Sequence, residues 1–210
     1  MGSKRKLATE IVQLLRQRHH SARTLYDVFG GGGAISFEAY KHFPLVRYNE
    51  IKTSIVAVVE QLKVGIPEEW WHPVSREQFA QSMDGTTAYD GMVQTCWSFG
   101  NNPGKTYLYG AEIEEFKLSA HAFIVYNNKE SRDKFCELTG LNVPLFRDED
   151  SFYNRRMIMK RWLEPERFRL ESLERIERLP QGSFANIITS NKDYRELAFE
   201  PNSIIYCDPP

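Results

Sequence analysis

"RTLYDVFGGGGAISFEAYKHFPLVRYNE", residues 23–50, contains two short apolar runs separated by a glycine run and a segment of helical length. The runs "RTLYDVF" and "LVRYNE" predict buried strands, "GGGG" predicts a turn, and "AISFEAYKHF" predicts the helix between the strands. A further helix is predicted over "SIVAVVEQL", residues 54–62. A right-handed crossover would place the two strands side by side and parallel. The stretch therefore predicts the βαβα start of an α/β sheet.

Similar elements are predicted at both ends of the chain. Apolar side chains at helical spacing indicate an opening helix over residues 4–18. From Ser183 onward, "FANIITS" and "SIIYC" predict two more strands, with a turn and a short helix over "KDYRELAF" between them. We expect residues 1–64 and 183–210 to form one cofactor-binding α/β domain with a Rossmann-like sheet.

The stretch from Gly65 to Gly182 has a different texture. It is rich in aromatic and polar residues, is interrupted by prolines, and lacks alternating strands and helices. We interpret residues 65–182 as an inserted, mainly helical second domain. Within it, "LESLERIERL" (170–179) has an apolar residue at every third position and predicts a short packing helix whose charged positions face water.

The composition excludes several classes of protein. The chain has 210 residues, of which 41% are hydrophobic, and this is sufficient for a sizeable core. The formal net charge of -1 excludes a uniformly basic protein, so nucleic-acid binding would depend on local basic clusters. The scattered histidines and cysteines predict no metal site. No run approaches the length of a membrane span and no signal peptide is recognisable, so a cytoplasmic protein is expected.

Acidic residues follow all four predicted strands: Asp27, Glu50, Asp193 and Asp208. Because ligands of open parallel sheets bind beyond the carboxyl ends of the strands, we expect these acids to converge on one crevice. The glycine turn lets backbone N–H groups approach a ligand, and an acid about twenty residues further on suits the hydroxyls of a ribose. Asp27 would repel a pyrophosphate but could pair with an ammonium group. This combination favours S-adenosylmethionine over NAD.

Four motifs resemble those of the Dam-like, D12 class of N6-adenine DNA methyltransferases. They are "DVFGGGGAISF" (27–37), "YNE" (48–50), "NKDY" (191–194) and "IIYCDPP" (204–210). "GSK" at residues 2–4 is similar to the family's N-terminal "GGK", and "CWSFGNNPGKTYLYG" (96–110) resembles its Phe-, Asn- and Gly-rich segment. The family usually has Glu-Pro-Phe where this chain has Asp27-Val28-Phe29, which retains the acid. The resemblance implies an inserted DNA target-recognition domain at residues 65–182.

The resemblance also implies roles for individual residues. Asp27 with the turn Phe29, Gly30, Gly31, Gly32 and Gly33 would hold the methionine part of S-adenosylmethionine, and Glu50, next to Ile51, would hold the ribose. Asp193 and Tyr194 match the pair at the adenine ring, and Lys4 matches a lysine near cofactor and DNA. The catalytic motif is Asp208, Pro209 and Pro210. Its carboxylate and the Pro209 carbonyl would accept hydrogen bonds from the amino group of an adenine flipped out of double-stranded DNA.

Further residues are candidates for DNA contact in the inserted region. Arg155, Arg156, Lys160 and Arg161 are candidates for phosphates, while Asn101, Asn102 and Lys105, beside Trp97, Phe99, Tyr107 and Tyr109, are candidates for base edges or for support of the flipped strand. The resemblance implies DNA adenine methylation, as in restriction-modification. The sequence does not give the oligomeric state, and we expect a monomer without a metal.

The sequence leaves three alternatives open. They are methylation of another amino group, such as that of RNA adenine or of cytosine N4, an NAD-dependent oxidoreductase, and a non-catalytic DNA-binding remnant. Because the family motif continues with an aromatic residue after "DPP", we expect a longer protein and weak or no turnover by these 210 residues alone.

Overall fold

Four parallel strands form the central sheet of the computed structural model, which describes residues 4–99, 106–163 and 169–209. Their order across the sheet is β3-β2-β1-β4. Their bounds are Thr24–Asp27 (β1), Leu45–Asn49 (β2), Ile187–Ser190 (β3) and Ser203–Tyr206 (β4). The predicted parallel pairing of the first two strands is confirmed, with Asp27 opposite Tyr48 on one side and opposite Tyr206 on the other.

Three helices cover one face of this sheet: α1 (Ala8–Arg18), α2 (Ser36–Ala39) and α3 (Thr53–Leu62). Alternate strand residues point to this face, and Leu25, Val46 and Ile204 form one buried cluster with Val12 and Val59 of the helices. The predicted helix over residues 34–43 is shorter than expected. Beyond Ala39 the chain continues only as turns, and Phe43 is not helical, as expected for the residue before Pro44.

The opposite face of the sheet is covered by the segment that joins β3 to β4. The Phe199 ring packs edge-on against Tyr26 with 5.0 Å between ring centroids, and Glu200 forms a 2.6 Å ion pair with Arg47. Ile188 and Ile205 lie on the same face, and each is 47% exposed to solvent. Among the described residues, the two faces are therefore unequally buried.

The chain between α3 and β3 is mainly helical in its described parts, with loops between the helices, as predicted. Its helices are α4 (Arg76–Gln81), α5 (Ala88–Cys96), α6 (Ala111–Tyr126), α7 (Lys129–Thr139), α8 (Phe152–Trp162) and α9 (Glu171–Glu177). Within those parts, no helix is both sufficiently long and sufficiently apolar to cross a membrane.

The helical part packs directly on the sheet's third helix. One buried cluster combines Trp70, Met92 and Trp97 with Val58 and Leu62 of α3. A second cluster, further from the sheet, contains Phe123, Phe135, Met159 and Leu173. The first cluster crosses the predicted boundary between residues 64 and 65, so the two predicted domains share a core there.

The interface of α3 and α5 depends on a glycine and a buried amide. A Cβ on Gly91 would lie 2.2 Å from the Ser54 carbonyl oxygen, so only glycine allows this approach of the two helices. Beside it, the Ser54 hydroxyl donates to Gln94 Oε1 at 2.7 Å, and Gln94 Nε2 donates to the Ser82 carbonyl at 2.6 Å. The contact is thus both close and hydrogen-bonded.

The expectation that the charged positions of the packing helix face water is wrong for Glu174 of α9. Its carboxylate is buried and lies near three guanidinium groups, 3.9 Å from Arg156, 3.2 Å from Arg169 and 3.5 Å from Arg178. The apolar repeat of a helix predicts which of its positions are buried. It does not predict that a charged residue between them, such as Glu174, is also buried against a cation of another helix, such as Arg156.

Gly91→Ala is expected to destabilise the protein by about 1–3 kcal/mol, because the added methyl would force α3 and α5 apart. In an exposed helix interior the same change would stabilise by up to about 1 kcal/mol, so the sign of the effect is diagnostic. Urea unfolding measures it. Thr95→Ala on the same helix adds no atom and removes only the hydrogen bond from the Thr95 hydroxyl to the Gly91 carbonyl, so it should cost less than about 1 kcal/mol. A stabilised Gly91→Ala variant would contradict the close packing.

Candidate active site

Three carboxylates converge at the carboxyl edge of the sheet. Asp27 is the last residue of β1, Glu50 follows β2 directly, and Asp208 lies two residues beyond β4. β1 pairs in parallel with both β2 and β4, so these strand ends lie side by side, and the charges of Asp208 and Glu50 both raise the pKa of Asp27. The structure thus brings these three predicted site residues together.

The glycine turn is tied to Glu50 and Tyr48. Gly31 N–H donates to Glu50 Oε2 at 3.0 Å, Lys52 N–H donates to the other carboxylate oxygen at 2.9 Å, and the Tyr48 hydroxyl donates to the Gly31 carbonyl at 2.6 Å. A Cβ on Gly30 would lie 2.1 Å from the Tyr48 ring, while Gly31 has a φ of 48°. Glycine is therefore required sterically at one position and conformationally at the next.

Asp27 is a buried acid with a shifted pKa. Its side chain is 2% exposed and accepts a 2.7 Å hydrogen bond from the Ser36 hydroxyl. Burial raises the pKa of Asp27 from 3.8 to about 6, against the opposing effect of the Ser36 hydrogen bonds. No basic side chain is among the groups that shift it, so Asp27 lacks a counter-charge among the described residues.

The residues after β3 lie beside the glycine turn. The rings of Tyr194 and Phe29 are in contact, with centroids 5.4 Å apart, and the Tyr194 side chain is exposed. Asp193 forms a bidentate pair with Arg195, and this pair lowers the pKa of Asp193 to about 2. The predicted adenine-site residues thus lie beside the predicted methionine-site turn. Ile51 is 66% exposed next to Glu50.

The proposed catalytic motif is linked to the start of the chain. Lys4 Nζ lies 3.1 Å from Asp208 Oδ1, and both side chains are partly exposed. The Asp208 carboxylate raises the pKa of Lys4 through this hydrogen bond and charge pair. Pro209 is exposed, while Pro210 lies outside the described residues. The sequence predicted Lys4 near cofactor and DNA, and the structure places it against Asp208.

The prediction that Arg155 and Arg156 contact DNA phosphates disagrees with the structure. Both are buried: Arg155 Nη1 donates to the Ile124 carbonyl at 2.9 Å, and Arg156 Nη2 forms a 2.8 Å ion pair with Glu177. These guanidinium groups serve internal contacts between helices. On the same helix, Lys160 is half-buried and Arg161 is exposed.

The predicted base-contacting segment is only partly described. Asn101, Asn102 and Lys105 lie outside the described residues. Of their aromatic neighbours, Phe99 is 65% exposed, whereas the buried residues Trp97, Tyr107 and Tyr109 pack in the helical core. Core packing therefore accounts for these three rings.

Several residues that hold the site together were missed by the sequence analysis: Ser36, Tyr48, Asn49 and Asn191. Asn191 Nδ2 donates to the carbonyls of Glu50 and Ile51, at 2.8 and 2.7 Å, and Asn49 bonds to the ends of β1 and β3. The quoted motifs "YNE" and "NKDY" contain both asparagines, but their partners are distant in sequence and no local pattern identifies them.

The donor and acceptor set fits S-adenosylmethionine. Asp27 offers a carboxylate without a counter-charge to an ammonium group, and the Glu50 carboxylate has lone pairs beyond the two bonds it accepts from the backbone. A Cβ on Gly32 would meet no atom within 4 Å, so the turn is open on that side. Among the described residues, no group of three or more His, Cys, Asp or Glu could hold a metal ion.

The raised pKa predicts how Asp27→Asn changes stability with pH. Between about pH 4 and 6 folded Asp27 holds a proton that the unfolded chain has lost, so its contribution to stability falls as the pH rises and is least favourable above pH 6. The amide of the variant does not titrate. Urea unfolding should show similar stability of the two proteins near pH 4 and a variant more stable by up to about 3 kcal/mol at pH 7.5. A difference independent of pH would contradict the raised pKa.

Comparison with known proteins identifies the family of this chain. No curated protein matches the sequence. The family model of the D12 class N6 adenine-specific DNA methyltransferases matches residues 1–210, which is the whole chain given. The α/β fold with a parallel sheet and the acids at its carboxyl edge agree with that match. The chain belongs to the D12 class of N6 adenine-specific DNA methyltransferases.

Proposed function

We propose that this chain binds S-adenosylmethionine at the carboxyl edge of its sheet and methylates N6 of an adenine that is flipped out of a specific DNA sequence. The observation that supports this most is the convergence of Asp27, Glu50 and Asp208 at the carboxyl edge of the sheet, where Glu50 also binds the glycine turn. The three acids suit three different tasks: pairing with an ammonium group, binding a ribose and accepting a base amino group.

The first task belongs to Asp27. A buried carboxylate without a counter-charge is unfavourable, and a ligand ammonium beside it would lower its pKa and stabilise the ionised form. The Ser36 hydroxyl holds one carboxylate oxygen at 2.7 Å, so the carboxylate is already held in place when a ligand ammonium pairs with it. Cofactor binding and ionisation of Asp27 are therefore coupled.

Glu50 would hold the ribose hydroxyls. Each of its oxygens already accepts one backbone N–H, from Gly31 and from Lys52, so the plane of the carboxylate is fixed before any ligand binds. The remaining lone pairs can accept the two hydroxyl groups of a ribose. Phe29 and Tyr194 offer ring surface for the adenine, Asp193 offers an acceptor for its amino group, and exposed Ile51 offers apolar contact.

Asp208 and Pro209 would act on the target base. When bound, S-adenosylmethionine supplies an electrophilic methyl group. The Asp208 carboxylate and the Pro209 carbonyl accept hydrogen bonds from the N6 amino group, which increases electron density on N6 and orients its lone pair. Lys4, whose Nζ lies 3.1 Å from Asp208 Oδ1, holds this carboxylate in place until the base enters.

Methylation of cytosine N4 or of RNA adenine would use the same Asp-Pro-Pro chemistry. Nucleoside analysis of the methylated product separates these reactions, and the proposal requires N6-methyladenine in DNA. An NAD-dependent oxidoreductase is disfavoured because an ionised Asp27 would repel a pyrophosphate. A non-catalytic DNA-binding remnant would give no methylated nucleoside.

Titration calorimetry with S-adenosylhomocysteine tests the cofactor site. Saturable binding is expected, and Glu50→Ala should weaken it by at least about tenfold through loss of the ribose contacts. Glu196→Ala is the matched control, since it removes an exposed carboxylate close to Tyr194 and should leave affinity unchanged within about twofold. The absence of binding to a folded wild-type chain, or equal affinity of the Glu50 variant, would contradict the proposed pocket.

Lys160 and Arg161 remain the candidates for phosphate contact on α8, since Arg155 and Arg156 are buried. If both neutralise phosphates, the double change to alanine should reduce the slope of log K against log salt by about 2 for duplex DNA. Lys129→Ala with Arg132→Ala on α7 is the control, because these cations already pair with Asp133. An unchanged slope for the Lys160 and Arg161 variant would remove α8 from the DNA interface.

A further inference from the structure

The Asn49 side chain joins the ends of three strands at the site. It is 4% exposed, and its amide makes four hydrogen bonds. Nδ2 donates to the carbonyls of Val28 at 3.1 Å and Lys192 at 3.0 Å. Oδ1 accepts from Lys192 N–H at 3.1 Å and from the Ser190 hydroxyl at 2.7 Å. All four bonding positions of this buried amide are therefore used.

These partners allow only one orientation of the amide. A carbonyl oxygen can only accept and a backbone N–H can only donate, so Nδ2 must face Val28 O and Oδ1 must face Lys192 N–H. A flipped amide would lose these bonds and place like dipoles against each other. The group is consequently rigid, and no other common side chain of similar size offers two donors and two acceptors in this arrangement.

Two of its three partner residues, Val28 and Lys192, lie next to residues of the proposed cofactor pocket. Val28 connects Asp27 to Phe29 and the glycine turn, Lys192 precedes Asp193 and Tyr194, and Asn49 itself precedes Glu50. The amide thus contacts the segments proposed for the methionine, adenine and ribose parts of the cofactor. The amide lies between the segments proposed for the methionine and adenine parts, and it is not proposed to contact the cofactor itself.

The sheet does not supply this connection by itself. β1 and β3 are not neighbours, because β2 lies between them. The ladder between β2 and β3 ends with Asn49 opposite Ser190, before Lys192. The Asn49 side chain hydrogen-bonds both to Val28, at the end of β1, and to Lys192, in the segment after β3. Among the described residues, no other single side chain has hydrogen bonds to both places.

We propose that Asn49 is a positioning residue that fixes the spacing between the methionine and adenine halves of the cofactor pocket. The proposal rests on the proposed function, since it takes this pocket to be the cofactor site. A ligand that spans two half-sites gains affinity from both only if their spacing is fixed in advance. Loosening that spacing weakens a ligand that spans both halves more than a ligand that occupies one of them.

Asn49→Asp tests this with two probes, S-adenosylhomocysteine and 5′-methylthioadenosine, which lacks the amino-acid part. The variant keeps the acceptor for Lys192 N–H but loses both donors, and it turns an oxygen towards the Val28 carbonyl. We expect calorimetry to show about tenfold or greater weakening for S-adenosylhomocysteine and less than about threefold for methylthioadenosine. Ser190→Ala removes a bond to Oδ1 but leaves both donors, so both affinities should change less than about twofold.

A purely structural role for Asn49 predicts a different result. Equal weakening of both probes, or unchanged affinity for both, would overturn the proposal. Should Asn49→Asp not fold, Asn49→Ser, which is neutral and can still donate one hydrogen bond, carries the same comparison. Failure of the proposed function is recognised separately, because the folded wild-type chain would then bind neither probe.

Discussion

The parallel register of β1 with β2 is the constraint on which the rest of the site depends. It sets Asp27 opposite Tyr48, so that both strands end at the same level and the chain leaves each strand at one edge. The glycine turn then lies over the end of β2, where Gly30 N–H donates to the Asn49 carbonyl at 2.8 Å and Gly31 N–H to Glu50. A shift of one residue would exchange the faces of the side chains and separate Asp27 from Glu50.

This geometry has an energetic cost that falls mainly on Asp27. Burial raises its pKa to about 6, so near neutral pH the folded protein carries an ionised group in an environment that disfavours it. The neighbouring carboxylates of Glu50 and Asp208 increase the cost. Such an arrangement costs folding free energy near neutral pH, and the ammonium group of the proposed cofactor would supply the missing charge.

The sequence was sufficient to predict the strands, their parallel order at the centre and the acids at their ends. Asp27 and Glu50 could be placed because each directly follows an apolar run, and a run's end defines an edge of the sheet. Asn49 could not be found in this way, since only the fold joins it to its partners.

The pair "RR" at residues 155–156 has the local appearance of a phosphate-binding patch, yet both guanidinium groups face inward against groups of other helices, such as Glu177. A run of charges indicates that partners are needed, but only the packing of helices decides whether these partners are internal or belong to a ligand.

The helical part and the carboxyl edge of the sheet are connected through α3. This helix begins three residues after Glu50, and the Thr53 hydroxyl at its start donates to Asn191 Oδ1 at 2.9 Å. α5 packs against α3 at the close contact between Gly91 and Ser54. Just beyond the end of α5, the Ser98 carbonyl accepts a 2.6 Å hydrogen bond from Arg175 of α9. The base of the segment that resembles the family's Phe- and Asn-rich motif is thereby held relative to Glu50 by packed helices instead of by a flexible linker.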